Sequence, residues 1–143
     1  MLSRQESAAA LSAIEYDDLT GLYTKSAFYY HAGHLMKYQP DQSYAVIMAD
    51  VKNFKLINNI YGIRVGDDIL RYLAKTLSKV LTDGLVARYS DDQFVMFTSI
   101  PKNDFEKQME NVVRYISENA PISNLLVKYG VYKDVDKSIS ISE

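Results

Sequence analysis

The 143-residue chain has no cysteine, no tryptophan and only two histidines, and it has no apolar run long enough to cross a bilayer. Without cysteine there is no disulfide framework and no thiolate metal site, which fits a reducing compartment such as the cytoplasm. His31 and His34 are too few imidazoles for histidine-based zinc chemistry. A membrane-spanning helix needs ~20 mostly apolar residues, so this segment gives no reason to expect membrane contact. Met1 to Ser7 lacks the charge-then-apolar layout of a signal peptide. Charges nearly balance, with 16 Lys and Arg against 18 Asp and Glu, so nothing points to a nucleic-acid surface. What remains is an ordinary soluble composition, 48% hydrophobic and 24% charged, in a length that suits one domain with a real core.

Residues 4–15 are rich in Ser and Ala, so 1–16 reads as the end of a linker helix and 17–143 as the domain. Asp17 to Leu22 has loop chemistry. Thr24 suits an N-cap for a helix to about Tyr38, with Phe28, Ala32, Leu35 and Met36 inward and His31 near that face. Tyr44 to Ala49 is apolar at every position, as in a strand covered on both faces, and stops at Asp50. A short helix follows over Phe54 to Tyr61. Gly62 and Gly66 bracket an expected turn, and Asp67 or its neighbour starts the next helix. In that helix Ile69, Leu70, Leu73, Leu77, Val80 and Leu81 repeat at helical spacing.

Thr82-Asp83-Gly84 reads as a turn, and Leu85–Tyr89 with Gln93–Thr98 as a hairpin. Asn103 and Glu106 resemble a capping box. It opens a helix marked by Phe105, Met109, Val112, Val113 and Ile116, running to about Asn119. Leu125 to Tyr132 is the last strand. This order predicts an α/β (α+β) sandwich, a central mixed sheet flanked by helices on both faces or mainly one.

If the strand ending at Asp50 neighbours the hairpin, then Asp50, Asp91 and Asp92 converge on one sheet edge. Three carboxylates there are costly unless a divalent cation neutralises them. Asp50 and Asp92 are the candidate ligands, hard oxygens suited to Mg²⁺; the alternative is exposed turn acids. Lys55 either meets a phosphate as a point charge or is a solvated helix lysine. Asn58 and Asp67 offer an amide and a carboxylate that together can read a guanine, or are a surface Asn and a helix cap. Spacing alone does not choose between these.

Taken in register, these segments resemble the GGDEF, or diguanylate cyclase, family. Asp18-Leu19-Thr20-Gly21-Leu22 resembles its D-x-L-T-G-L opening, with Asp17 as the leading acid. Asp50 to Asn59 is similar to D-x-D-x-F-K-x-I-N-D, and Tyr61 to Leu70 to Y-G-H-x-x-G-D-x-x-L. Arg88-Tyr89-Ser90-Asp91-Asp92-Gln93-Phe94 stands where R-Y-G-G-D-E-F belongs, and Gly130 fits the glycine of S-x-G.

The resemblance implies a sheet with a ferredoxin-like core, related to the palm of polymerases and to class III nucleotide cyclases. It implies a homodimeric condensation of two GTP into cyclic di-GMP and pyrophosphate, each 3′-OH attacking the other nucleotide's α-phosphate. It also implies Mg²⁺ (or Mn²⁺) on Asp50, Asp92 and the Val51 carbonyl, phosphate on Lys55, and guanine on Asn58 and Asp67. Ser90, Asp91 and Gln93 would form the catalytic turn, Gln93 standing in for an acid that handles metal or protons.

The departures from the pattern bear on activity. Ser90 and Asp91 replace glycines that let the turn approach a nucleotide closely. A like charge at ~4 Å, at an effective dielectric near 20, costs on the order of 4 kcal/mol before screening. Gln93 neither accepts a proton usefully nor binds a metal strongly. Lys52 and Asn59 replace further acids, and Ile63 a histidine. The family's R-x-x-D feedback site would fall on Leu81 and Gly84 and is absent. The pattern also continues into a helix and strand beyond Glu143.

The expected function is a catalytically weak or inactive GTP-binding regulatory module of cyclic di-GMP signalling, coupled to an upstream sensor or a neighbouring phosphodiesterase domain. An active diguanylate cyclase and a nucleotide-free dimerisation module are the alternatives. The expected location is the cytoplasm, alone or as the soluble part of a larger membrane-anchored protein.

Overall fold

A strand that is apolar at every position needs cover on both faces, and this chain supplies it from two directions. The computed structural model describes residues 15–39, 41–81, 84–99 and 105–133. In chain order its elements are β1 (Tyr23–Thr24), α1 (Lys25–Tyr38), β2 (Tyr44–Val51), α2 (Phe54–Tyr61), α3 (Ile63–Val80), β3 (Leu85–Ser90), β4 (Gln93–Ser99), α4 (Phe105–Glu118) and β5 (Val127–Lys133). One five-stranded sheet runs β1-β3-β4-β2-β5. Only β1 and β3 pair in parallel; β3–β4, β4–β2 and β2–β5 are antiparallel. The sheet is therefore mixed, as expected.

The chain leaves β2 through α2 and α3 and returns in β3, with β4 inserted between the two strands. It leaves β4 through α4 and returns in β5, with β2 inserted. Right-handed crossovers of this kind place their helices on the same face of the sheet. The burial pattern agrees. Ala45, Ile47, Ala49 and Val51 of β2 share one core with Ile69, Leu70, Leu73 and Leu77 of α3 and with Met109, Val112 and Ile116 of α4. The Tyr72 hydroxyl donates to the Ile116 carbonyl at 3.0 Å and ties α3 to α4.

On the other face Tyr44, Ala87, Val95 and Phe97 pack against Phe28, Ala32 and Met36 of α1. Thr24 caps α1 as expected, its hydroxyl accepting from the Ala27 N–H at 3.3 Å. At the far end the Tyr44 hydroxyl lies within hydrogen-bonding distance of the carbonyls of Leu35 (3.2 Å) and Gln39 (3.1 Å), tying β2 to the last turn of α1, where Leu35 also accepts the Gln39 N–H at 2.8 Å.

Several expectations need correction. Gly66 is not part of a turn: α3 begins at Ile63, after Gly62 with φ 93, so Asp67 lies inside the helix rather than at its start. Gly62 alone supplies the positive φ that breaks α2 from α3. β2 runs through Asp50 to Val51, because its ladder to β4 and β5 continues to that point. β5 starts at Val127, while Leu125 is buried ahead of it. Val80 is 47% exposed rather than inward. The two-residue strand β1 was not anticipated. Residues 1–14, the Thr82-Asp83 part of the turn, the Asn103 cap and the polar segment from Asp134 lie outside the described residues.

Phe97 is fully buried, edge-on to Phe28 and stacked on Tyr44 with ring centroids 6.3 and 4.7 Å away. Phe97→Ala is expected to lower the unfolding free energy by about 3–5 kcal/mol in urea titrations. A loss below about 1 kcal/mol would show that this second core does not hold α1.

Candidate functional site

The expected metal residues come together where β2 meets the β3–β4 turn. Asp50 is in register with Gln93, so Asp92 lies opposite Val51, the last residue of β2. The Val51 N–H donates to the Asp92 carbonyl at 3.3 Å and fixes that approach. Asp50 and Asp92 are both half-buried. Asp91 does not join them: it is exposed at the turn, and among the described residues no three acidic or other metal-ligating side chains are grouped to hold a metal. The expected three-carboxylate cluster is therefore not formed among the described residues.

The turn itself is closed by its own unusual residues. The Ser90 hydroxyl donates to the Gln93 side-chain carbonyl at 2.7 Å. A glycine at 90 would offer no such donor. The register also slips between Arg88 and Ser90, leaving Tyr89 as the extra residue. Such a bulge re-aims the strand end and strengthens its local twist.

Arg88 holds the turn from below. Its Nη2 donates to the Asp91 carbonyl at 2.9 Å, and its Nη1 reaches both Asp17 carboxylate oxygens at 3.2 and 3.3 Å. Asp17 is in turn fixed by Thr20, whose N–H and hydroxyl donate to it at 2.9 and 2.7 Å. The opening loop is therefore a clasp on the turn. Nothing in its own sequence announces this, because the partner is 71 residues away. α1 adds a second brace: Lys25 Nζ lies 4.3 Å from the Tyr89 ring centroid, and the Tyr29 and Tyr89 hydroxyls are 3.4 Å apart. Burial, followed by that hydrogen bond, pushes Tyr29 up to about 12.

The expected base readers sit on two helices that meet at Gly62. Asn58 is half-buried near the end of α2, and its side-chain oxygen is buried without a hydrogen-bond partner. It rests on Gly66 of α3: any Cβ at position 66 would overlap that oxygen. The missing Cβ at Gly66 therefore leaves room for the Asn58 amide where it now sits, a relation hidden when Gly66 is read as turn chemistry. Asp67 follows directly, half-buried. Lys55, in the first turn of α2, is exposed.

The sequence model described as "Diguanylate cyclase, GGDEF domain" matches residues 14–140. The chain belongs to the GGDEF family. Its relatives include the diguanylate cyclase VdcA of Vibrio cholerae, 31% identical over 116 residues, covering 76% of this chain and 32% of VdcA. Another is the diguanylate cyclase DgcM of Escherichia coli, 30% identical, with 79% of this chain and 28% of DgcM covered. The chain thus spans about a third of the length of these curated relatives. The solved coiled coil and GGDEF domain of Caulobacter crescentus DgcB, in complex with c-di-GMP, superposes with a TM-score of 0.78 at 19% identity. It covers 96% of this chain and 78% of that one. This GGDEF domain is a member of the diguanylate cyclase family of cyclic di-GMP signalling. Among its described residues no helix is long and apolar enough to cross a membrane.

The donor set at Asp50 and Asp92 fits the family's Mg²⁺ or Mn²⁺. Mg²⁺ is commonly held by one or two carboxylates together with waters and substrate phosphates, rather than by an all-protein cage. A pair of carboxylates meets that requirement only when a phosphate completes the shell.

Burial alone would raise the Asp17 carboxyl, but the hydrogen bonds from Thr20 and the Arg88 guanidinium outweigh it and hold it below the ordinary Asp range. The unfolded chain therefore takes up the proton first as pH falls. The stabilisation is fully present above the unfolded value near 3.9 and drains away as pH drops through the lower folded value. Asp17→Asn is expected to cost about 1–3 kcal/mol at neutral pH. In denaturant titrations the gap between parent and variant should close as the pH is lowered below about 4. A gap that stays constant would mean the carboxylate charge is not what holds the clasp.

Proposed function

We propose that this GGDEF domain binds GTP and turns it over weakly or not at all, acting as a regulatory module. The observation that carries the reading is the unpartnered Asn58 side-chain oxygen. A buried polar atom without a hydrogen bond costs about 1–3 kcal/mol, and a guanine N–H would supply the missing donor once the amide turns out of its seat on Gly66. Asp67, one residue past Gly66, adds an acceptor for the same base edge. Lys55 is a point charge for phosphate.

Asp50, Asp92 and the Val51 carbonyl would hold Mg²⁺ or Mn²⁺, which supplies neutralising charge for the phosphates. The weak turnover follows from the turn. Its acid position is a neutral amide, Gln93, whose oxygen is already engaged by Ser90. General acid–base assistance is worth about 10²–10⁴ in rate, and an amide cannot supply it.

One observation favours the alternative, an active diguanylate cyclase. Asp91 is exposed and its carbonyl is held by Arg88, so its charge does not add to the Asp50–Asp92 pair. The repulsion expected from this residue is weakened accordingly, and the defect rests mainly on Gln93. Partners that fit a regulatory role are a second copy of the domain, an upstream sensor or a neighbouring phosphodiesterase domain.

Calorimetric titration tests the binding. GTP with Mg²⁺ should bind, ATP should bind at least about tenfold more weakly, and Asn58→Ala should erase the difference, because a site built to hydrogen-bond a group rejects a ligand lacking it. Absence of GTP binding at millimolar concentration sinks this reading and leaves a dimerisation module. Turnover is tested separately by the combined reversion Ser90→Gly, Asp91→Gly and Gln93→Glu. Cyclic di-GMP production by the revertant should exceed that of the parent by about 10²-fold or more. Equal production by both would place the defect elsewhere.

A further inference from the structure

The sheet end that carries Asp50 also carries a cation that none of the roles above uses. Asp50 is in register with Gln93 on one side and with Lys128 on the other, so the three residues form one row across β4, β2 and β5. Their side chains share a face. Ala49 and Val51 point into the α3–α4 core, and Val127 and Val131 pack against that same core. Strand alternation therefore sends Asp50 and Lys128 to the opposite side. α1 packs over β1, β3 and the Tyr44, Val95 and Phe97 part of the face, and the end that carries Asp50 and Lys128 opens to solvent.

The result is an open cleft of about 250 Å³ lined by Asp50, Gln93, Lys128, Tyr129, Gly130 and Met48. Lys128 is the cation among these residues, is exposed, and makes no ion pair with any described residue. Directly opposed residues on antiparallel strands have Cβ atoms about 5 Å apart. A lysine stem reaches farther than that, so the ammonium can swing over Asp50 or out into the cleft.

We propose that Lys128 is a built-in counter-charge of the Asp50 cleft: it weakens the hold of this site on a divalent cation and instead binds a phosphate of the incoming nucleoside triphosphate directly. The inference rests on the reading that the cleft receives a triphosphate. Its physical basis is competition. A divalent ion approaching Asp50 meets a resident positive charge, whereas a phosphate meets an unpaired ammonium with three donors. Gln93 cannot compensate for the ion, because its carbonyl is held by Ser90.

The test uses Mn²⁺ alone, followed by electron paramagnetic resonance, and GTP in EDTA, followed by calorimetry. Parent, Lys128→Met and Lys128→Arg are compared. Lys128→Met removes the charge at similar length and sits on an exposed position, so the fold should survive. It should bind Mn²⁺ about tenfold more tightly than the parent, and Lys128→Arg should return to the parent value. In EDTA the Met variant should lose about tenfold in GTP affinity. Mn²⁺ affinity that is unchanged or lower in Lys128→Met overturns the proposal. So does equal binding of GTP in EDTA by parent and Met variant, when the parent does bind it. A parent that binds no GTP under any condition instead overturns the nucleotide reading, and the Mn²⁺ comparison alone then decides the role of Lys128.

Discussion

The contact between the Asp17 carboxylate and the Arg88 guanidinium connects the beginning of the domain to its functional turn, and most of the site geometry depends on it. Arg88 holds the Asp91 carbonyl with one nitrogen and Asp17 with another. Asp17 is held by Thr20, and its N–H donates to the Leu22 carbonyl at 2.7 Å, closing the loop that delivers Tyr23 to the sheet. β1 then pairs with β3 at Ala87 and Arg88 themselves. Charge, loop and strand pairing thus converge on one residue. The pair is mostly buried, with side-chain exposures of 17% for Arg88 and 20% for Asp17. Breaking it by removing one partner leaves the other charge poorly solvated, which is more costly than losing a surface ion pair.

With the turn held this way, the site divides into two parts with different origins. The part proposed to read a base is assembled by helices: α2 and α3 meet at Gly62, and Asn58 rests on Gly66. The charge-bearing part is assembled by the sheet, where β4, β2 and β5 bring Gln93, Asp50 and Lys128 into one row. The unusual residues belong to the second part. Ser90 and Gln93 satisfy each other, so two departures from the family pattern form one local hydrogen bond. This is a stable arrangement for a turn and a poor one for proton transfer.

Much of the architecture was legible in the chain because periodicity and caps are local signals. The unbroken apolar run at Tyr44 marks the central strand, Thr24 marks the start of α1, and the leucine spacing after Ile69 marks the buried face of α3. The placement of Asp50 near the end of the central strand, beside the hairpin, was also legible. What escaped was set by distant contacts or by elements too short to have a period. Two residues of β1 show no alternation. The purpose of Asp17 depends on Arg88. Gly66 has the composition of a turn and the function of a seat. The row position of Lys128 becomes visible only when β5 is placed against β2.

The overlap between residue 66 and the Asn58 oxygen has a historical consequence. A side chain at 66 is excluded while Asn58 keeps its place, whereas Asn58 can be lost while Gly66 remains, because a smaller neighbour only opens space. Substitutions at these two positions can therefore accumulate in one order. Within a lineage that abandons guanine recognition, position 58 is free to drift first, and only afterwards does position 66 gain the better helix former that its location in α3 favours. A glycine at 66 opposite an asparagine at 58 thus couples the two positions sterically, whatever the pair binds.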